Sequence, residues 1–183
     1  YPMVSSMDHK RAYDNDEGPN TGGMGTIAPN PYYTPQVAET CMEKIFLPTI
    51  RAMKQEGRTF SGCLYFGLML TKNGPYVIEY NCRFGDPETQ VVLPLLESDL
   101  LTVMQAVTNG TLSETEVRFS DNHACCVIMA SKGYPTAYEK GFEFKELQIG
   151  GTATGADRKV LDGAISLNAA EFEMLQKMAA GGV

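Results

Sequence analysis

Between residues 62 and 82 the chain carries two apolar runs on either side of a three-residue turn, and this pairing constrains its fold more than any other stretch. Residues 62–71, GCLYFGLMLT, have the length and content of a buried strand. Lys72-Asn73-Gly74 supplies an Asn-Gly step suited to positive φ, and residues 75–82, PYVIEYNC, read as the returning strand. The expectation is an antiparallel β-hairpin.

The other elements follow from punctuation and periodicity. Residues 1–7 are of mixed polarity and are read as a short strand. Residues 14–31 are rich in Gly, Pro, Asn and Asp and read as a loop without helix or strand, of a length that is usually either functional or disordered. Thr34 and Pro35 suit the N-cap and first position of a helix whose apolar face holds Val37, Cys41, Met42 and Ile45. Pro48 is expected to kink or interrupt that helix and Gly57 to end it. Ser98-Asp99 cap a helix reaching Val107 and closing at Asn109-Gly110. Residues 123–131, HACCVIMAS, read as another buried strand and Gly133-Tyr134-Pro135 as a turn. Residues 141–147 read as a weak strand and residues 169–179 as a terminal helix. The fold class is α+β, with an antiparallel sheet and helices.

Composition narrows the function classes. A net charge of -7 disfavours a general nucleic-acid binder. No apolar run approaches the length of a membrane span, and the N-terminal residues show no signal-peptide pattern. The five cysteines are odd in number and form no CxxC, which suits reduced thiols in a cytoplasmic protein better than disulfides or a cysteine zinc site. Tyr1 has no methionine before it, and chemistry-bearing residues begin at Asp8; the natural polypeptide is expected to start upstream.

Three constellations carry the chemistry. In residues 77–90, VIEYNCRFGDPETQ, strand alternation puts Glu79 and Asn81 on one face, with Val77 and then Arg83 in line. A carboxylate and an amide oxygen two residues apart can converge on one hard cation of the Mg²⁺ type, and an arginine beside it can hold phosphate or carboxylate. The same spacing also suits the polar outer face of a surface hairpin; the turn and carboxylates that follow, Gly85-Asp86-Pro87-Glu88, favour a site. The second constellation is Asp8-His9-Lys10-Arg11, by itself more often a solvated charge cluster than a site, but placed just before the long loop. The third is residues 17–25, EGPNTGGMG, whose glycines allow close backbone approach and an anion-binding nest, although the pattern is neither a P-loop nor a dinucleotide fingerprint.

In that order and spacing, DHKR, GPNTGGMG and IEYNCRFGDPETQ resemble the glycinamide ribonucleotide synthetases (phosphoribosylamine–glycine ligases) of the ATP-grasp superfamily, from about residue 1 to residue 144. The resemblance implies the C-terminal half of an ATP-grasp core in residues 1–120 and a partial C-terminal domain in residues 121–183, of which residues 146–183 match no part of the pattern. It implies ATP-dependent joining of glycine to 5-phosphoribosylamine through a glycyl phosphate, with Mg²⁺ or Mn²⁺. Glu79 and Asn81 match the family's metal ligands. Arg83 and Lys10 take catalytic roles, stabilising phosphoryl charge. Asp8, His9, Lys10, Arg11, Gly22, Gly23, Asp86, Pro87 and Glu88 take substrate-binding roles, with Asp8 meeting the glycine ammonium and the glycine-rich loop closing over the pocket. The expected partners are glycine, 5-phosphoribosylamine and ATP, with no nucleic acid and no membrane. A half-core leaves unpaired sheet edges that invite pairing between copies. On this reading the chain alone has little activity. The rival readings are an ATP-grasp enzyme for another carboxylate and a noncatalytic remnant that binds a metal or a partner.

Overall fold

In the computed structural model, the described residues are 1–140 and the backbone of two short strands further on. The order is β1 (Met7–Tyr13), β2 (Glu17–Ala28), α1 (Pro35–Cys41), α2 (Leu47–Gln55), β3 (Tyr65–Thr71), β4 (Gly74–Asn81), α3 (Thr89–Val92), α4 (Leu100–Asn109), β5 (His123–Val127), β6 (Val160–Leu161) and β7 (Ala164–Leu167). The strands form a five-stranded antiparallel sheet, β1-β2-β5-β7-β6, and a separate β3-β4 hairpin. The expected strand over residues 141–147 and helix over residues 169–179 lie outside the described residues.

The largest departure from the sequence reading is β2. Residues 17–28, expected to be loop, form a strand of 12 residues. Its glycine-rich composition is a poor strand former alone, but β1 pairs along one side and β5 along the other, and this two-sided ladder decides the conformation. Glycine is needed where the strand is crowded: a Cβ on Gly25 would lie 2.7 Å from the Cys126 carbonyl oxygen. The expected strand over residues 1–7 is also corrected, because pairing starts at Met7, where Ile27 provides the partner.

The first helix begins as expected, with Thr34 as N-cap accepting from the Val37 amide. The regular α-helix is interrupted just before Pro48, as expected, but the chain stays helical. A π-helical turn at Met42–Phe46 joins α1 to α2. Proline has no N–H to give, and a wider turn just before it lets the chain continue as helix. Gly57 follows the helix with a φ of 71°. The hairpin is present, with a register shift between Gly67 and Leu68 that leaves Ile78 without an opposite residue. Helix α4 is capped by Asp99, whose Oδ1 accepts from the Thr102 amide at 2.7 Å, and it ends at the left-handed Gly110.

The core lies where α3 packs on the β2–β5 part of the sheet, with Ala28, Val91, Val92, Leu95, Ala124 and Cys126 buried together. Strand β5 stops at Val127, four residues short of the expected end. It pairs with β2, so the main sheet takes strands from both sides of residue 120. This packing fixes the segment between β4 and α3, which holds Gly85, Asp86, Pro87 and Glu88, against β1 and β2.

Candidate active site

Strand β1 presents Asp8 and Lys10 to a large open cleft of about 1570 Å³, which His9, Arg11, Glu79 and Glu88 also line. The Asp8 side chain is 9% exposed. Its Oδ2 lies 2.5 Å from the Lys10 ammonium, and its Oδ1 has no hydrogen-bond partner among the described residues. A buried carboxylate oxygen left in this state is costly, and a cationic or N–H donor from a ligand would relieve it. Burial by itself would lower the pKa of Lys10, but the hydrogen bond and charge of Asp8, with Glu88 and Glu79 beyond it, outweigh that and hold it above the ordinary lysine value. Lys10 is therefore a fixed positive charge among three carboxylates.

Glu88 is the second buried acid, 5% exposed, and its Oε1 accepts from the Tyr65 hydroxyl at 2.9 Å. Burial, and then the Glu88 charge, push the Tyr65 phenol well above the usual tyrosine value, so it stays a donor. Gly85 makes room for this acid, since a Cβ there would collide with the Glu88 carboxylate. Gly23 has a φ of +142°, and a Cβ on it would run into Pro87 and come within 2.9 Å of Asp8 Oδ1. The glycine-rich strand, Asp8 and the Pro87 turn thus meet at one point. Arg11 donates to the Gly18 carbonyl at 2.7 Å, which turns its guanidinium along β2.

On β4, the Asn81 Nδ2 lies 3.5 Å from Glu79 Oε1, so the amide and the carboxylate converge on one side of the strand. The register shift at Ile78 breaks simple alternation, and Val77 does not extend that face as expected. Glu79 lies over Gly67, where a Cβ would stand 2.7 Å from its Cγ. Strand β4 ends at Asn81, so alternation does not reach Arg83. Arg83 is exposed, and its Nη1 donates to the neighbouring Phe84 carbonyl at 2.7 Å. Asp86 is exposed too, accepting from Gln90 at 3.0 Å, whereas Pro87 is buried against β2. The two oxygen-bearing side chains of Glu79 and Asn81 suit an oxygen-preferring dication, with the amide turned over to present its oxygen. Among the described residues no group of three His, Cys, Asp or Glu side chains forms a metal cage. Any ion held here would draw further ligands from water or phosphate.

The structure brings Asp8, Lys10, Glu79 and Glu88 to one cleft and sets Arg83 and Asp86 outside it. Sequence reasoning missed Tyr65, Gly67 and Tyr134, whose hydroxyl accepts from the Gly22 amide at 3.3 Å. Tyr65 and Gly67 stand opposite Asn81 and Glu79 across the hairpin, a pairing that the exact register alone reveals.

An antiparallel α+β scaffold with a buried carboxylate paired to an exposed lysine and a strand-borne carboxylate–amide pair fits the ATP-grasp class, and the comparisons agree. Residues 1–89 match the family model described as the phosphoribosylglycinamide synthetase ATP-grasp (A) domain. The chain is 52% identical over 146 residues to the phosphoribosylamine–glycine ligase of Caldanaerobacter subterraneus, covering 80% of this chain and 35% of that protein. It is 47% identical over 172 residues to the trifunctional purine biosynthetic protein adenosine-3 of Gallus gallus, covering 91% of this chain and 17% of that one. The crystal structure of phosphoribosylamine–glycine ligase from Thermotoga maritima superposes with a TM-score of 0.69 at 35% identity, covering 91% of this chain and 41% of that chain. The chain belongs to the phosphoribosylglycinamide synthetase family. It spans about a third of the length of the bacterial ligases it matches.

Proposed function

We propose that this chain carries the substrate end of an ATP-dependent ligase that joins glycine to 5-phosphoribosylamine, giving glycinamide ribonucleotide, ADP and phosphate through a glycyl phosphate. The observation that carries the proposal is the cleft itself. The unpartnered Asp8 Oδ1 stands beside the fixed ammonium of Lys10 and the buried Glu88.

An amino acid and a phosphorylated sugar amine need both signs of charge in one pocket. Asp8 receives the glycine ammonium. Lys10, with His9 and Arg11 on the same strand, holds carboxylate or phosphate oxygens. Glu88, braced by Tyr65, shapes the amine end, and Pro87 and Asp86 shape that pocket from outside the cleft by setting the turn that carries Glu88. Gly22 and Gly23 let the β2 backbone close on the substrates and exclude water from an acyl phosphate. Glu79 and Asn81 hold Mg²⁺ or Mn²⁺, which when bound neutralises phosphate oxygens of ATP. Arg83 supplies further positive charge to the phosphoryl group if its side chain leaves the Phe84 carbonyl. Residues 1–120 provide the ATP-grasp part, and residues 121–183 form a partial C-terminal unit that lends β5 to the same sheet. The free thiols fit a cytoplasmic setting. The edges of the β3–β4 hairpin offer a surface for self-association.

The test is Glu79→Ala in the chain extended to the length of its relatives. Turnover falls by roughly a hundredfold or more while the melting profile is kept, because an exposed metal ligand contributes to phosphoryl transfer rather than to packing. Near-normal turnover would remove Glu79 from the site.

A further inference from the structure

Strand β2 bulges directly opposite Lys10. Between the paired positions His9–Gly25 and Arg11–Asn20, β1 uses the single residue Lys10, while β2 uses residues 21–24. A bulge of this size leaves peptide groups that the ladder cannot satisfy, and side chains take them up. Thr21 does so at two points. Its Oγ1 donates to the Lys10 carbonyl at 2.9 Å and accepts from the Gly23 amide at 3.0 Å.

The Gly23 N–H shares one peptide plane with the Gly22 carbonyl. In a planar trans peptide the N–H and the C=O point in opposite directions, so holding the first aims the second. The Gly22 carbonyl accepts from the Lys10 ammonium at 3.2 Å. Three hydrogen bonds thus close a ring that starts at the Lys10 backbone, passes through the Thr21 hydroxyl and the Gly22–Gly23 peptide, and returns to the Lys10 side chain. Glycine stands on both sides of that peptide, with Gly23 at a φ of +142°, so no side chain of its own keeps it from turning. The preceding plane, which carries the Gly22 N–H, is held separately by the Tyr134 hydroxyl at 3.3 Å.

We infer that Thr21 is a positioning residue for Lys10. The lysine side chain is flexible and 44% exposed, so packing does not fix it and its N–H groups must be directed. Among the described residues two acceptors direct them: the Asp8 carboxylate at 2.5 Å, on the same strand, and the Gly22 carbonyl at 3.2 Å, on the facing one. One hydroxyl therefore sets both ends of this lysine, tethering its backbone and aiming the second acceptor of its ammonium. Without that hydroxyl the Gly22–Gly23 peptide is free to turn and Lys10 keeps Asp8 alone. That Lys10 then meets an anionic substrate rests on the function proposed above; the ring of bonds does not.

The test uses this chain without substrate, so its outcome is independent of any ligase assay. Thr21→Val keeps the shape and removes the hydroxyl, and Thr21→Ser keeps the hydroxyl. Two signals are followed: hydrogen exchange of the Gly23 amide by NMR, and acetylation of Lys10 relative to the exposed Lys54 by mass spectrometry. In Thr21→Val, Gly23 exchange should rise about fivefold, the ratio expected when one hydrogen bond of ordinary strength is lost. Lys10 acetylation should rise at least about twofold, less because Asp8 still holds the ammonium. Thr21→Ser should restore both signals, and the Gly22 amide and the melting midpoint should hardly move in either variant. Faster Gly23 exchange with unchanged Lys10 acetylation would overturn the inference, since Thr21 would then brace the backbone alone. So would equal Lys10 signals in the Val and Ser variants, or faster exchange along all of β2 with a lower melting midpoint.

Discussion

Glu88 and Tyr65 illustrate what single side chains contribute. A carboxylate only 5% exposed needs a partner, and the Tyr65 hydroxyl at 2.9 Å provides one. Tyr65→Phe keeps the ring and leaves Oε1 without that donor, so the chain should lose about 1–3 kcal/mol of stability in urea denaturation. Tyr76→Phe, at an exposed position, should cost almost nothing. Equal midpoints for the two variants would show that Glu88 draws its support from elsewhere. Glu79 with Asn81 and Asp8 with Lys10 were singled out in the sequence by side-chain type and by the resemblance, and the structure puts Asp8, Lys10 and Glu79 on one cleft. Tyr65, Gly67 and Tyr134 were not, since their roles exist only through contacts across the hairpin or across 112 residues. Arg83 was read into the metal face by extending strand alternation past Asn81, where the strand in fact ends.

Among the elements, the β3–β4 hairpin and the capped α4 were readable because local signals decide them: an Asn-Gly turn, an Asp N-cap, a closing glycine. Strand β2 was not, because its composition argues for loop and its two neighbours impose a strand. Pro48 signalled a real break in the regular helix, but the form of the break, a wider turn that keeps the chain helical, was not readable. The glycines of β2 are therefore structural demands as well as site features. Gly23→Ala should cost at least about 2 kcal/mol, since the new methyl would meet Pro87 and Asp8 in a backbone conformation that suits glycine. Thermal denaturation checks this. A melting point equal to that of the unsubstituted chain would mean that β2 and the Pro87 turn do not meet as described.

At the scale of the whole molecule, one antiparallel sheet takes β1 and β2 from the N-terminal region and β5 from beyond residue 120. The three motifs that the sequence separates by tens of residues meet because α3 packs on this sheet, which leaves Pro87 and Asp8 beside Gly23. Among the described residues no helix is long and apolar enough to cross a membrane. The match to the chicken protein covers 91% of the chain, more than residues 1–145 can supply, so similarity reaches into the segment that the motifs left unmatched. The chain matches about a third of each bacterial ligase, and an ATP site needs groups held in register on both sides of the nucleotide. The most direct measurement is ADP release dependent on both glycine and 5-phosphoribosylamine, by this chain and by the chain extended to the length of its relatives. The account predicts little or no release by the first and ligation by the second, dependent on both substrates. Absence of release from both, with each folded, would contradict it and leave the Asp8–Lys10–Glu88 cleft without a ligase role.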